Sequence, residues 1–231
     1  MVSITGWIDG LTATLIIVSS VTFGLISLVK SARLKAKLLT VAGIQMIFVG
    51  FLWLGPTIDL FLVLSTGANI SPFSTYSILS YLWVAPALVT GMYLGGELIF
   101  PKGKWILVGI FIVLGAIFEY FLWFQTNESF TWVLANPGDL IDASFVRTHP
   151  TFLMIAVFLV ATLVFLAIGF FIKAKQATGE LRKKLFYLGL GFTIFVLSGA
   201  LDSILTLPLA IGFVRVVMAT FALWMWLGLK T

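Results

Sequence analysis

The sequence predicts an all-α polytopic membrane protein, a single domain of residues 1–231 folded as one bundle of seven transmembrane helices. Three observations predict this fold. Of the 231 residues, 61% are hydrophobic and only 10% are charged, whereas about a quarter of the residues of a soluble domain are charged. The apolar residues form runs long enough to cross a bilayer. The basic residues occupy alternate connections between these runs, a pattern typical of multi-pass membrane proteins.

The predicted spans are apolar runs bounded by polar breaks, each close to or above the roughly 20 residues that a transmembrane helix needs. The last two come from one apolar stretch, 185–229, which exceeds a single crossing of a bilayer core of about 30 Å. Pro208 lacks an N–H and starts helices well, so we expect the chain to turn between Thr206 and Pro208. A six-span alternative with one very long helix stays open. The seven spans are residues 11–29, 38–64, 78–100, 105–124, 152–172, 185–206 and 208–229.

The basic residues predict the orientation of the bundle. Twelve of the 14 lie on one side of the seven-span topology, whereas the opposite connections hold only Arg147, and Arg215 lies inside span seven. The positive-inside rule then places the N-terminus outside and the C-terminus in the cytoplasm of a multi-pass cell-membrane protein. The twelve residues are Lys30, Arg33, Lys35, Lys37, Lys102, Lys104, Lys173, Lys175, Arg182, Lys183, Lys184 and Lys230.

Composition excludes several chemistries. There is no cysteine and a single histidine, His149, so one chain cannot build a disulfide, a thiolate site or a multi-histidine metal site. Span seven contains no lysine for a retinal Schiff base. We therefore expect no cofactor, no metal and no enzymatic activity. The net charge of +5 is assigned to cytoplasmic loops, so the expected partner is the lipid bilayer and not nucleic acid.

Four ionisable residues within the spans are the candidate site: Asp59, Glu119, Asp202 and Arg215. Such groups are costly in a bilayer and usually face a partner or a cavity. Their positions place all four in the outer half of the bundle, with Asp9 at the outer mouth of span one. Because spans six and seven are joined by a short turn, we expect Asp202 and Arg215 to form an ion pair.

Two interpretations of this site stay open. The four residues either line an outward-facing polar cavity that binds a ligand or ion, or they satisfy one another and the outer interface. The connection 125–150 is predicted to cover the mouth of the bundle, with a short surface helix within 130–145. The alternative is an interfacial loop that dips Phe130 and Trp132 into lipid headgroups.

The stretch 180–191, ELRKKLFYLGLG, running into 198–202, SGALD, resembles the fifth-loop and sixth-helix region of the seven-helix sensor domains that precede prokaryotic histidine kinases. The resemblance implies an outside N-terminus, basic inner loops and a sensor function. Because the sequence reaches Thr231 without a kinase domain, we expect any signal to pass to a separate protein partner docked on the basic loops.

The function favoured by these observations is a receptor-like or sensor membrane protein that binds an unidentified ligand and takes part in signal transduction. One alternative is a small solute transporter with a three-plus-one-plus-three repeat. It rests on Ile58-Asp59-Leu60 in span two and Leu201-Asp202-Ser203 in span six, each of which follows a basic loop. A structural subunit of a larger membrane complex is another alternative, and an enzyme acting on lipid comes last.

Overall fold

The structure is a computed structural model that describes residues 2–134, 136–205 and 207–230. It is predominantly helical, with one short β-hairpin. A 3₁₀ turn, Pro101–Gly103, precedes α6, and a π-helical segment, Leu163–Ile168, joins α8 to α9. The elements are α1 Ile4–Leu34, α2 Lys37–Phe51, α3 Leu54–Thr66, α4 Phe73–Tyr81, α5 Val84–Ile99, α6 Lys104–Phe124, α7 Thr126–Ser129, β1 Phe130–Val133, β2 Asp142–Phe145, α8 Pro150–Thr162, α9 Gly169–Gln176, α10 Gly179–Asp202, α11 Pro208–Ala219 and α12 Phe221–Leu229.

The predicted polytopic helical membrane architecture is confirmed. Six helical segments are long and apolar enough to cross a bilayer, and α2 with α3 makes a seventh if this pair, bent by 49°, counts as one span. The predicted span 38–64 is therefore broken in its middle. The predicted span 185–206 corresponds to α10, which ends at Asp202. The turn expected between Thr206 and Pro208 involves Thr206, which lies outside the described residues.

Helix contacts form a closed circuit. The order is α1, α2 with α3, α5, the π segment with α9, α10, and α11 with α12, which return to α1. α6 packs on α5 and α8 and contributes to a separate apolar cluster with them. Buried apolar side chains from every span of the circuit fill its centre, where their close packing holds the helices together through van der Waals contacts. Representatives are Ile16, Met46, Leu94, Leu166, Phe192 and Met218.

Residues 130–133 and 142–145 pair as the two strands of a β-hairpin, so the predicted surface helix was wrong. β1 and β2 pair antiparallel, with Phe130 opposite Phe145 and Val133 opposite Asp142. Successive side chains of β1 point to opposite faces of the hairpin, so Phe130 is buried and Thr131 is exposed. The connection includes Gly138 at φ 87°, a left-handed conformation that glycine adopts without strain. Phe130 and Phe145 pack on Tyr81 with ring centroids 4.9 and 4.7 Å away.

The two ends of the bundle carry opposite charge. We call the end that contains β1 and β2 the hairpin end, and the end with the α1–α2, α5–α6 and α9–α10 connections the basic end. The basic end holds the twelve basic residues named above and two carboxylates, Glu97 and Glu180. The hairpin half of the bundle holds the other seven carboxylates and two arginines, Arg147 and Arg215.

Spans two and three break at the same sequence pattern, Leu-Trp, one residue, a small residue and proline. The pattern is 52–56, LWLGP, where α2 gives way to α3, and 82–86, LWVAP, where α4 gives way to α5. A proline has no N–H to donate to the carbonyl four residues earlier, so Pro56 and Pro86 each interrupt the helical hydrogen bonding. This repeat, 30 residues apart, is a sequence signal that the span assignment did not use.

The two breaks pack directly against each other. The Trp83 ring lies 4.7 Å from the Phe51 ring and 5.8 Å from the Phe48 ring, centroid to centroid. A Cβ added to Gly55 would clash with the Ser80 Oγ. Thr57 Oγ1, Ser80 Oγ and Trp83 Nε1 are buried and have no hydrogen-bond partner among the described residues.

Spans two and six, which the predicted repeat would relate, differ in helix shape. α10 is one uninterrupted helix of 24 residues, whereas span two is two helices with a bend between them. The physical reason is local, because 179–202 contains no proline and the helix keeps its hydrogen bonds throughout.

The close approach of α1 and α2 predicts which glycine substitutions destabilise the bundle. A Cβ on Gly24 would lie 2.9 Å from the Gly43 carbonyl oxygen and 2.7 Å from Ile47 Cγ1, whereas nothing lies within 4 Å of a Cβ on Gly109. We expect Gly24→Leu to lower the free energy of unfolding by about 1–3 kcal/mol, because it forces apart two packed backbones. Gly109→Leu, the matched control on α6, is expected to leave stability within about 0.5 kcal/mol. Thermal unfolding in detergent measures both, and equal destabilisation contradicts the packing.

Candidate functional site

Arg215 binds two carboxylates from two other helices, and we call Asp9, Asp202 and Arg215 the triad. The Arg215 Nε donates to Asp202 Oδ1 at 2.8 Å, which confirms the ion pair predicted from sequence. The Arg215 Nη1 donates to the Asp9 carboxylate and lies 3.4 Å from the Asp9 carbonyl oxygen. The side chains of Arg215, Asp202 and Asp9 are 12%, 16% and 27% exposed, so Asp9 is the most accessible of the three.

Local geometry explains why these residues meet. Asp202 is the last residue of α10, and Arg215 lies two turns into α11, so the two helices present them at the same depth. α11 also approaches α1 closely, since a Cβ on Gly212 would lie 2.5 Å from Ile8 Cγ2. Arg215 follows Gly212 by three residues, a spacing that places it on the same helix face, beside Asp9.

The triad is unbalanced in charge. An arginine keeps its proton in proteins, so one positive group faces two carboxylates. Partial burial strengthens the attraction between opposite charges, because the surroundings polarise less than water. The arrangement therefore ties α1, α10 and α11 together at the hairpin end and leaves a surplus of negative charge there.

Asp59 is fully buried and lies apart from the triad. Its carboxylate accepts hydrogen bonds from Ile70 N at 2.7 Å, Ile141 N at 2.9 Å and Asn69 Nδ2 at 2.9 Å. Three N–H donors satisfy a buried carboxylate without a cation. Asp59 thus joins α3 to the loop before α4 and to the β-hairpin, and its contacts are those of a structural anchor.

Glu119 is also separate from the triad. Its Oε2 accepts from Trp123 Nε1 at 3.2 Å on the same helix, and its Oε1 is buried without a partner among the described residues. The neighbours of α6 include α4, α5, α7 and α8, whereas the triad lies on α1, α10 and α11. Of the four predicted residues, the structure therefore brings together only Asp202 and Arg215. It adds Asp9 to them, and the position of Asp9 at the outer mouth of span one was the sequence signal that could have predicted this.

The β-hairpin is tethered over this end of the bundle. Ser3 and Thr5 donate their hydroxyl protons to Asp139, and Ser3 N donates to the Gly138 carbonyl at 2.9 Å. Trp132 Nε1 donates to Ser77 Oγ at 2.9 Å. Burial acts to raise the pKa of Asp139, but hydrogen bonds from Ser3, Thr5 and Asn136 outweigh it, so the pKa lies below its usual value. Asp139 therefore stays ionised at neutral pH and holds the hairpin to the start of α1.

Two tyrosines of α4 pack beneath the hairpin. Tyr76 is only 6% exposed and packs with Ile70 and Ile141 beneath the hairpin. Tyr81, at the end of the same helix, packs on Phe130 and Phe145 of the hairpin.

The contacts of the triad predict the order in which its variants lose stability. We expect Arg215→Gln to cost about 3–5 kcal/mol, because it leaves two carboxylates without a cation. Asp202→Asn and Asp9→Asn each keep one ion pair, so we expect smaller losses, with Asp9→Asn the mildest because its side chain is the most exposed. Chemical unfolding in mixed micelles measures the series. The triple variant with all three changes should recover part of the Arg215→Gln loss, and equal losses in the three single variants contradict the arrangement.

Comparison of the chain with protein-family models, with curated proteins and with solved structures finds no match. The resemblance of 180–202 to sensor domains stays a prediction. The contacts of Asp9, Asp202 and Arg215, beneath a tethered hairpin, are the features of the described residues that bear most directly on function.

Proposed function

We propose that this protein is a receptor-like sensor of the cell membrane, without enzymatic activity, whose ligand binds at the triad and whose signal passes to a separate protein at the basic end. The observation that carries the proposal is the contact of Arg215 with carboxylates of two other helices. A contact of this kind has two alternative states, closed or exchanged for a ligand. A ligand that prefers one state shifts the population of the whole bundle.

The helices that meet at the triad can carry a change to the other end. α1 is an uninterrupted helix of 31 residues, which spans the bundle and ends with Arg33 in its last turn. α10 is uninterrupted over 24 residues and begins beside the basic cluster at Arg182. A long unbroken helix moves as a unit, so a displacement of α1 against α10 at the hairpin end also displaces their basic ends. Those ends are the proposed docking surface for a partner.

This proposal requires the hairpin end to face outside and the basic end to face the cytoplasm, which the positive-inside rule supports. The chain lacks cysteine, so a single introduced cysteine reports its own location. Thr148 and Thr178 are exposed at the hairpin end and the basic end respectively. We expect a membrane-impermeant maleimide to label Thr148→Cys on intact cells and Thr178→Cys only after lysis. The reverse pattern contradicts the orientation.

A sensor also requires coupling between the two ends. Nitroxide labels at Ala32→Cys and Thr178→Cys, both exposed positions near the basic ends of α1 and α10, measure their separation by pulsed electron resonance. We expect Asp9→Asn, which releases α1 from Arg215, to shift the distance distribution. Glu128→Gln is the matched control, because it removes the same charge from an exposed position of α7. An unchanged distribution in Asp9→Asn contradicts the sensor proposal.

The paired breaks of spans two and three favour a second candidate, a transporter of small solutes. Interrupted helices near the middle of a membrane form the binding sites of many transporters. The buried Thr57 and Ser80 hydroxyls, unpaired among the described residues, lie on the two helices next to these breaks. Solute uptake into proteoliposomes that is lost in Ser80→Ala, while Asp9→Asn retains it, favours the transporter over the sensor.

A further inference from the structure

We propose that the seam between spans two and three binds a small uncharged solute that both donates and accepts hydrogen bonds. The seam is the line along which α2 contacts α5 and α3 contacts α4, and it includes both proline breaks. This inference rests on the second candidate function, the transporter, and names the class of solute that its site takes. It is carried by buried polar groups on both sides of the seam that lack a hydrogen-bond partner among the described residues.

Contacts between the two spans place these polar groups along one line. A Cβ added to Gly55 of α3 would clash with the Ser80 Oγ, and a Cβ on Gly91 of α5 would lie 2.6 Å from the Gln45 Nε2. The Trp83 ring lies between these two points and packs on the last residue of α2. Ser80 and Gly91 are 11 residues apart, so the line extends roughly 16 Å through the bundle.

The groups on this line are buried and unpaired within the part of the chain that the structure describes. Ser80 and Gln45 are each only 3% exposed. Ser80 Oγ, Gln45 Oε1 and Trp83 Nε1 are buried atoms without a hydrogen-bond partner there. Most buried polar side-chain atoms in proteins are hydrogen-bonded, and the lipid around a spanning bundle offers them no partner. Three such atoms on one seam therefore point to an occupant that forms hydrogen bonds.

The proline breaks add backbone acceptors to the seam. Pro56 and Pro86 have no N–H, so the carbonyls of Leu52 and Leu82 lose the donor that a continuous helix supplies. At membrane depth, an interrupted backbone is tolerated where it is buried in protein or lines a cavity. The seam therefore combines side-chain groups with backbone carbonyls, as the interrupted helices of transporter binding sites do.

The chemistry of these groups selects an uncharged ligand. The Trp83 indole only donates, whereas the Ser80 hydroxyl and the Gln45 amide both donate and accept. None of the three is charged, and the Asp59 carboxylate farther along α3 is already satisfied by three N–H donors. An ion would lose its hydration here without meeting an opposite charge, which is costly. A small polyol or amide instead exchanges its hydrogen bonds with water for equivalent ones.

The seam is closed in this structure, because Gly55 and Gly91 bring backbone against the side chains of Ser80 and Gln45. The 49° bend between α2 and α3 marks the point at which span two can hinge. A few residues at the ends of helices are enough to absorb a hinge rotation. The solute enters when α3 and α4 move as units about the two breaks and part from each other.

The experiment uses glycerol as the solute and the full-length protein labelled with 5-fluorotryptophan in lipid nanodiscs. The fluorine resonance that is missing from Trp83→Phe belongs to Trp83. We expect glycerol to shift this resonance in a saturable manner, because the indole N–H gains an acceptor. Sucrose at the same osmolarity, which is larger, and sodium chloride should leave it in place. An equal shift with sucrose or sodium chloride, or no saturable shift with glycerol, overturns the proposal.

Variants locate the site on the seam. We expect the dissociation constant for glycerol to rise at least about fivefold in Ser80→Ala and in Gln45→Met, because each change removes hydrogen-bonding groups. Ser27→Ala is the matched control, since it removes an equally buried and unpaired hydroxyl from α1, away from the seam. It should bind glycerol as the native protein does. Native affinity in whichever seam variants fold, or an equal loss in Ser27→Ala, overturns the assignment.

Glycerol uptake into proteoliposomes separates this proposal from the transporter function on which it rests. A saturable Trp83 shift without protein-dependent uptake supports the solute site and contradicts the transporter. Uptake that Ser80→Ala leaves unchanged, without a Trp83 shift, supports the transporter and contradicts the solute site.

Discussion

The architecture depends on holding one guanidinium group inside an apolar bundle. A charged side chain in a membrane costs several kcal/mol unless it has a partner, so Arg215 requires carboxylates within reach. They come from α10, which precedes its own helix, and from α1 at the far end of the sequence, 206 residues away. The second contact, with Asp9, joins the last spans to the first. The interaction that makes the charge tolerable also closes the circuit of helices, and the close approach of Gly212 to Ile8 belongs to the same contact.

A second constraint acts in the middle of the bundle, where proline interrupts two spans. Pro56 and Pro86 each remove one helical hydrogen bond, and the two interruptions face each other across Trp83, Phe51 and the approach of Gly55 to Ser80. A continuous helix transmits a displacement over its length, whereas an interrupted one absorbs it. α1 and α10 are therefore the stiff members of the bundle, and spans two and three are its deformable members. The helices that meet at Arg215 therefore transmit a displacement along the bundle, and spans two and three bend to absorb it.

The sequence predicted those parts of the structure that depend on residues close together in the chain. Apolar run length predicted the spans, and the short connection between spans six and seven predicted the Asp202–Arg215 contact. Asp59 and Glu119 were grouped with that pair because all four share a depth, but depth does not determine which helices are neighbours. α6 packs on α5 and α8, so Glu119 is remote from the pair, and the Asp59 carboxylate is satisfied by two backbone N–H groups and the Asn69 side chain. The β-hairpin was missed because an apolar–acidic mixture fits a surface helix as well as a strand, and the Asn-Pro-Gly turn was the better signal.

The two contacts of Arg215 differ in what their loss releases. Asp202 and Arg215 sit on helices linked by a short connection, so those helices stay neighbours even when the side chains part. Asp9 and Arg215 sit on helices that are distant in sequence, and their contact is among the few polar ties across that interface, with Ser19 Oγ donating to the Ala219 carbonyl at 2.8 Å further along. Exchange at Asp9 therefore changes how α1 meets α11, whereas exchange at Asp202 changes little beyond the pair itself. Since Asp9 is also the most accessible member, the position where a ligand arrives most easily is the one where it has the largest structural effect.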